Sequence, residues 1–191
     1  SKNPNRIQDR STEVFSEKTG SFYTGEFINE PDTDWSMAPN RKWAQAIRFK
    51  WKKSSGDSPA QIPIVVSGKH VFQERNLRDC FDLSRNDRPV DEKVCVGRYA
   101  LANEQDVIDA VKTAKADPDG WRQKTYRERY DMLSRAAMSI RMGRGDLIGA
   151  AAANTGKVFT ESDIEVSEAV DFTEYYPFSI KNFAGVIFVI I

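Results

Sequence analysis

Histidine, cysteine and long apolar runs are all scarce in this chain, and each shortage closes off a class of chemistry. His70 is the single histidine among 191 residues. A hydrolytic triad or a zinc site would have to use it, and no motif surrounds it. It reads as a solvated hairpin side chain. The two cysteines, Cys80 and Cys95, lie 15 positions apart, which is neither a metal-ligand spacing nor a disulfide framework. Their contexts, "LRDCFDLS" and "KVCVG", lack the glycine-rich turn or nearby base of an activated nucleophile. A reduced, cytoplasmic setting is the default expectation, with no metal site. The longest apolar run, Ala184 to Ile191, is too short to cross a bilayer. No basic-then-apolar signal peptide opens the sequence. Charge of one sign is not in excess either: Lys+Arg and Asp+Glu both total 28, a net charge of zero. That balance favours neither nucleic acid nor an anionic membrane as partner.

What is present is one domain's worth of chain, with a hydrophobic share of 40% that is a little low for a self-contained core. The final "AGVIFVII" reads as a buried parallel strand. Such strands need neighbours on both sides and a crossover helix, so the sequence is expected to be the front part of a larger protein.

Residues 1–20 read as a polar, loosely held tail. Residues 21–40, "SFYTGEFINEPDTDWSMAPN", predict an irregular strap whose Phe22, Phe27 and Trp35 dock on another surface. A short helix near 41–52 follows, with Trp43, Ala46, Ile47 and Trp51 at helical spacing, then the linker "SSGDSP". "QIPIVVSGKHVF" (61–72) predicts a hairpin turning at Ser67-Gly68. Residues 73–92 read as charged loop, and 93–102 as another strand region. Beyond 103 the pattern is helical. Asn103 caps a helix whose Val107, Ala110, Val111 and Ala114 form one buried stripe, ended by Asp117-Pro118-Asp119-Gly120. Thr125 and Glu128 form a capping box ahead of a stripe of Tyr126, Tyr130, Leu133, Ala137 and Ile140. "GRG" (143–145) breaks that helix. Asp146 starts an alanine-rich helix ending at Gly156, and Thr160 opens a last helix, with Asp163 three residues on, running to about Lys181. Pro177 should kink or end it.

Thr155-Gly156-Lys157 invites a phosphate-loop reading that the spacing refuses. Such a loop needs a glycine, four residues, Gly-Lys, then Ser or Thr, between a strand and a helix. Here Gly149 stands seven residues before Gly156, Val158 follows the lysine, and Gly156 closes a helix. A left-handed helix end with Lys157 against the negative dipole is the expected structure. The last helix carries Glu161, Asp163, Glu165, Glu168, Asp171 and Glu174. Glu161, Glu165, Glu168 and Asp171 follow a 4-3-3 spacing and share a face, which a solvated surface would explain. Glu168 resists that reading because Val166, Ala169, Val170 and Phe172 surround it.

From "EQDVIDAVKTAKADPDGWRQKTYRERYDMLSRAAMSIRMGRGDLIGAAAANTGK" through "TGKVFTESDIEVSEAVDFTEYY", the chain resembles the start of aldehyde dehydrogenases. The shared elements are an Ala-rich helix, a Trp-Arg turn, an Arg-rich helix and an Asp-Leu helix ending in Thr-Gly-Lys. "AGVIFVII" resembles that family's first Rossmann strand. "FINEPDTDWSMAPNRKWAQAI" narrows the likeness to glutamate-semialdehyde (Δ1-pyrroline-5-carboxylate) dehydrogenases, closest to those in bifunctional proline-utilisation enzymes. "SEKTGSFYTG" (16–25) looks like the end of the FAD-dependent proline dehydrogenase barrel that precedes the dehydrogenase there. The implied fold class is α/β: mainly the helical N-terminal part of the domain, with short strands and the first Rossmann strand. Residues 1–60 would be a tail and strap after such a barrel, and 61–191 an incomplete NAD-binding dehydrogenase domain.

The resemblance also implies the reaction. A cysteine thiolate attacks the aldehyde, an asparagine and a backbone N–H hold the oxyanion, hydride passes to NAD, and a glutamate base activates water. None of these catalytic residues occurs in this chain, so it is expected to be inactive alone. "EVSEAVDF" places Glu168 where the family presents a carboxylate near the aldehyde. Ile191 would sit where the strand meets the cofactor. The partners implied are a small aldehyde, the rest of the dehydrogenase domain and further copies of the protein. Two departures stand out. Glu13 and Val14 fall where the barrel's closing Arg-Arg pair belongs, and nothing lies between "SIKNFA" and "GVIFVII", where the family inserts a longer connection. The alternatives are a dehydrogenase of another semialdehyde, or a non-catalytic docking or scaffold module.

Overall fold

The computed structural model describes residues 7–15, 26–53, 58–83, 89 and 93–184. Five helices and five short strands are present among them: α1 (Ala38–Lys53), β1 (Ala60–Ile62), β2 (Ile64–Val66), β3 (Lys69–Val71), β4 (Leu77–Phe81), β5 (Cys95–Ala100), α2 (Glu104–Ala116), α3 (Tyr126–Met142), α4 (Arg144–Thr155) and α5 (Phe159–Ala184). A 3₁₀ turn, Trp121–Gln123, follows α2. The chain forms two compact bodies that interleave along the sequence.

The first body holds the strap, most of α1, α3, the start of α4, and α5. Thr125 caps α3 by accepting from the Glu128 N–H at 3.2 Å, while the Glu128 carboxylate accepts from the Thr125 N–H at 2.7 Å, which satisfies two orphan donors at once. Of the stripe that follows, Tyr130 and Ala137 are buried against α5, whose Val166 and Val170 are buried in turn. Each such aliphatic burial stabilises by about 1.5–3 kcal/mol. Gly143 alone separates α3 from α4, which begins at Arg144 rather than Asp146. Pro177 does not end α5. The helix continues to Ala184, because a proline removes one N–H from the ladder and the turns on either side persist. Over residues 26–37 the strap is irregular, as expected, and Phe27 and Trp35 dock. Phe27 meets Tyr175 edge-on at 5.0 Å, and Trp35 stacks on Trp43 at 6.1 Å and tilts on Phe159 at 6.4 Å. Phe22 lies outside the described residues.

Residues 7–15 are held more firmly than a polar tail suggests. The Arg10 N–H donates to Asn40 Oδ1 at 2.9 Å, and Gln8 Oε1 accepts from the Asp34 N–H at 2.7 Å and from Asn40 Nδ2 at 2.9 Å.

The second body contains the strands and α2. β2 and β3 pair antiparallel, Ile64 opposite Val71 and Val66 opposite Lys69. Ser67 (φ 53°) and Gly68 (φ 73°) turn between them with both φ positive, the two-residue hairpin geometry that matches strand twist. β5 is central in a three-stranded sheet, with β1 parallel on one side and β4 antiparallel on the other. The expected loop over 73–92 therefore contains a strand, β4. Its charged Arg78 and Asp79 masked the alternation, and Asp79 pairs with Arg98 of β5 at 2.6 Å.

α2 forms where predicted, with Asn103 and Asp106 in a reciprocal capping box and Asp117 left-handed at its end. Its apolar stripe is not buried. Val107 is 56% exposed and Val111 50%, since the described residues place little more than β2 beside that helix. The expected terminal strand at 185–191 lies outside the described residues.

Candidate functional site

α5 has two unlike faces, and the difference begins in the sequence. Asp163, Ser167, Val170 and Glu174 recur at i, i+4, i+7 and i+11 and are all buried, so the helix turns acids as well as valine inward. α3 and α4 answer with arginines. Arg141, following Tyr130, Ser134 and Ala137 at the same spacing, is buried, as is Arg144 at the start of α4.

The strap supplies the third component. Glu30 accepts from Arg141 Nε at 2.8 Å and from Arg144 Nη1 at 3.2 Å, with Arg10 Nη1 at 3.9 Å. Arg141 also forks onto Glu174 at 2.7 and 3.0 Å. Arg144 donates to Asp163 Oδ1 at 2.7 Å and to Ser167 Oγ at 2.5 Å. Asp163 further accepts from the Thr33 N–H at 2.6 Å and the Thr33 hydroxyl at 2.8 Å. Asp163 was expected as a first-turn helix acid; it is instead a buried ligand of the strap. Three guanidinium groups face three carboxylates, and none of the six side chains is more than 9% exposed. Burial opposes the charge on Arg141, but hydrogen bonds to Glu174 and Glu30 outweigh it and raise its pKa. Each carboxylate accepts charge-assisted bonds, so the cluster clamps the strap.

Sequence reasoning named Asp163 and Glu174 among the acids of the last helix but did not bring these six residues together. The available signal was charge at core positions of an amphipathic stripe, Arg141 among the alanines of α3 and Glu174 beyond Val170.

The outer face of α5 is where Glu168 lies. Glu168 is exposed, with Ile164 one turn before it, Phe172 one turn after and Tyr175 on the next; these three are 47%, 56% and 46% exposed. Phe172 stacks on Tyr176 at 5.9 Å. A carboxylate therefore stands in an open apolar and aromatic field, while Glu161 and Glu165 are exposed on the same helix. Asp171 lies at the edge of this face and is held. It accepts from Asn29 Nδ2 and from the Glu30 N–H, both at 2.7 Å.

Gly156 closes α4 with φ 74°, so Thr-Gly-Lys is a helix end and not a phosphate cradle. His70 is exposed in β3. Burial and the neighbouring Asp79 push the Cys95 thiol up, which disfavours a thiolate. Cys80 and Cys95 are free thiols. No cluster able to hold a metal occurs among the described residues, and no described helix is long and apolar enough to cross a membrane. Ile191 lies outside the described residues. β5 passes to α2 through Leu101-Ala102-Asn103, without the glycine-rich turn of a dinucleotide fingerprint.

A model of the aldehyde dehydrogenase family matches residues 84–189. The 1-pyrroline-5-carboxylate dehydrogenase of Geobacillus kaustophilus (strain HTA426) is 31% identical over 150 residues, covering 78% of this chain and 27% of that protein. The enzyme of that name from Staphylococcus haemolyticus is 27% identical over 158 residues, 83% of this chain and 29% of its own. Among solved structures, proline utilization A from Bdellovibrio bacteriovorus superposes with a TM-score of 0.72 at 24% identity, over 83% of this chain and 16% of that one. The NAD-bound Δ-pyrroline-5-carboxylate dehydrogenase from Mycobacterium tuberculosis gives 0.69 at 22%, over 83% and 28%. The fold is shared, and the chain spans less than a third of the length of these relatives. This chain belongs to the aldehyde dehydrogenase family.

Proposed function

We propose that this chain is the N-terminal portion of an NAD-dependent dehydrogenase that oxidises L-glutamate γ-semialdehyde to L-glutamate in proline catabolism, and that it does not catalyse by itself. The observation that carries this reading is Glu168, an exposed carboxylate set among Ile164, Phe172 and Tyr175 on a helix whose opposite face is locked. The names of the curated relatives support the choice of substrate. In the complete protein Glu168 binds near the aldehyde end of the substrate, residues 61–191 jacket the nucleotide-binding core, and Ile191 approaches the cofactor. NAD accepts the hydride. The same reading makes residues 1–60 a strap following an FAD-dependent barrel, in a cytoplasmic homo-oligomer; the fold shared with proline utilization A accords with it.

The test is NADH production by the protein expressed from the full reading frame around this sequence. Glutamate semialdehyde should be oxidised with a higher kcat/KM than succinate semialdehyde, and the 191-residue chain alone should show no turnover. Preference for another semialdehyde would replace the substrate. A reading frame without a downstream Gly-Gln-x-Cys nucleophile would replace the enzyme by a docking module.

A further inference from the structure

The strap touches α5 at two kinds of place. One is the buried arginine cluster, which needs no access to substrate. The other lies beside Glu168, where Asn29 Nδ2 and the Glu30 N–H both donate to Asp171 at 2.7 Å and Phe27 rests edge-on against Tyr175 at 5.0 Å and near Phe178 at 5.9 Å. Asp171 lies three residues after Glu168 and Tyr175 seven after it, so the first and second turns beyond Glu168 are both gripped by strap residues. Glu30 joins the two places: its backbone N–H holds Asp171 while its side chain, 7% exposed, is fixed by Arg141 and Arg144. A displacement of residues 27–30 is thereby resisted by buried charge.

We infer that Asp171 is a positioning residue: its clasp on Asn29 and Glu30 fixes the outer face of α5, and with it the grip on the aldehyde substrate. This deepens the Glu168 assignment and rests on the reading of the chain as part of a semialdehyde dehydrogenase. The clasp suits that task. Asp171 is itself only half-buried and contributes hydrogen bonds to neutral donors, so its loss loosens the face without unpairing a buried cation. Rigid placement of a binding carboxylate is what substrate affinity depends on.

The experiment uses the complete protein with Asp171→Ala, Asp171→Asn and, separately, Glu168→Gln. Asp171→Ala is expected to raise KM for glutamate semialdehyde about tenfold, the scale of one or two lost hydrogen bonds, with KM for NAD and the thermal midpoint little changed. Asp171→Asn keeps an acceptor for the Glu30 N–H and should recover most of that loss. A role in packing alone would move the thermal midpoint and both KM values together, and this result overturns the inference, as does an Asp171→Ala protein with unaltered aldehyde KM. Glu168→Gln reports on the other assignment. If it is silent while Asp171→Ala is selective, Glu168 is not a substrate ligand and the clasp acts on the face through Phe172 and Tyr175.

Discussion

Helices α2 and α5 share the same grammar of spaced apolar residues and meet opposite fates. α2 keeps Val107, Ile108 and Val111 half exposed or more and has no buried residue at all. α5 buries Ser162, Asp163, Val166, Ser167, Val170 and Glu174. A 3.6-residue period identifies a face that packs well if a surface is offered, but it does not supply the surface. α5 finds one in α3 and the strap, and binds it with charge as much as with aliphatic area. α2 is placed by its caps and by the Arg75–Asp106 pair at 2.8 Å. The helix that turns charged side chains inward is thus the more deeply anchored one.

Mutations should separate the two helices sharply. Arg144→Ala strips Asp163 and Glu30 of a buried partner and is expected to cost about 3–5 kcal/mol, as uncompensated buried charges do, read as a fall in urea midpoint by circular dichroism. Glu30→Ala should approach the same loss. A cost below 1 kcal/mol would show that the cluster is solvated. Next in size is Gly156→Ala, which forces a side chain into left-handed backbone at a cost of about 1–2 kcal/mol. Lys157→Ala on the same segment should change stability by less than about 0.5 kcal/mol, and the pair together check the helix-end assignment in one denaturation series. On α2, Val111→Ser is expected to fall within about 0.5 kcal/mol of the parent, the range of surface substitutions. A large loss there would mean that the stripe is covered.

Acid gives the smallest and most local contrast. Hydrogen bonds from Arg75 and from the Asn103 N–H hold the Asp106 carboxyl down at about 2. A depressed carboxyl stabilises the fold above its unfolded value and loses that contribution as the proton binds. The Asp106 contribution should therefore be complete above about pH 4, the free aspartate range, and fade as pH falls toward 2. A carboxyl-carbon NMR titration of Asp106 checks the position. Asp106→Asn should flatten that part of the stability profile.

Local signals made much of the fold legible. The Thr125-Glu128 capping box, the Asn103 cap, the Ser67-Gly68 turn, the Asp117 stop and the Gly156 helix end depend on a few adjacent residues whose chemistry admits little else. What sequence reasoning missed is long-range or dual in character. β4 was hidden because Arg78 and Asp79 interrupt the apolar alternation, and the partner of Asp79, Arg98, lies 19 residues away. The strap's grip was half visible: Phe27 and Trp35 announced docking, while Glu30 and Thr33 looked like loop polarity until Arg141, Arg144 and Asp163 were found opposite them, more than 100 residues away. Glu168 stood out because a lone acid among apolar side chains is legible in one dimension. Asp171, three residues on, did not, because its partners lie in the strap.

Steady-state kinetics of the complete protein carrying Glu168→Gln, beside Glu165→Gln as an exposed neighbour on the same helix, bear most directly on whether the outer face of α5 meets the substrate. Glu168→Gln should raise KM for glutamate semialdehyde about tenfold, the weight of one charge-assisted hydrogen bond, and leave KM for NAD unchanged, while Glu165→Gln should alter neither. Indistinguishable behaviour of the two variants, or a shift confined to NAD, would contradict it.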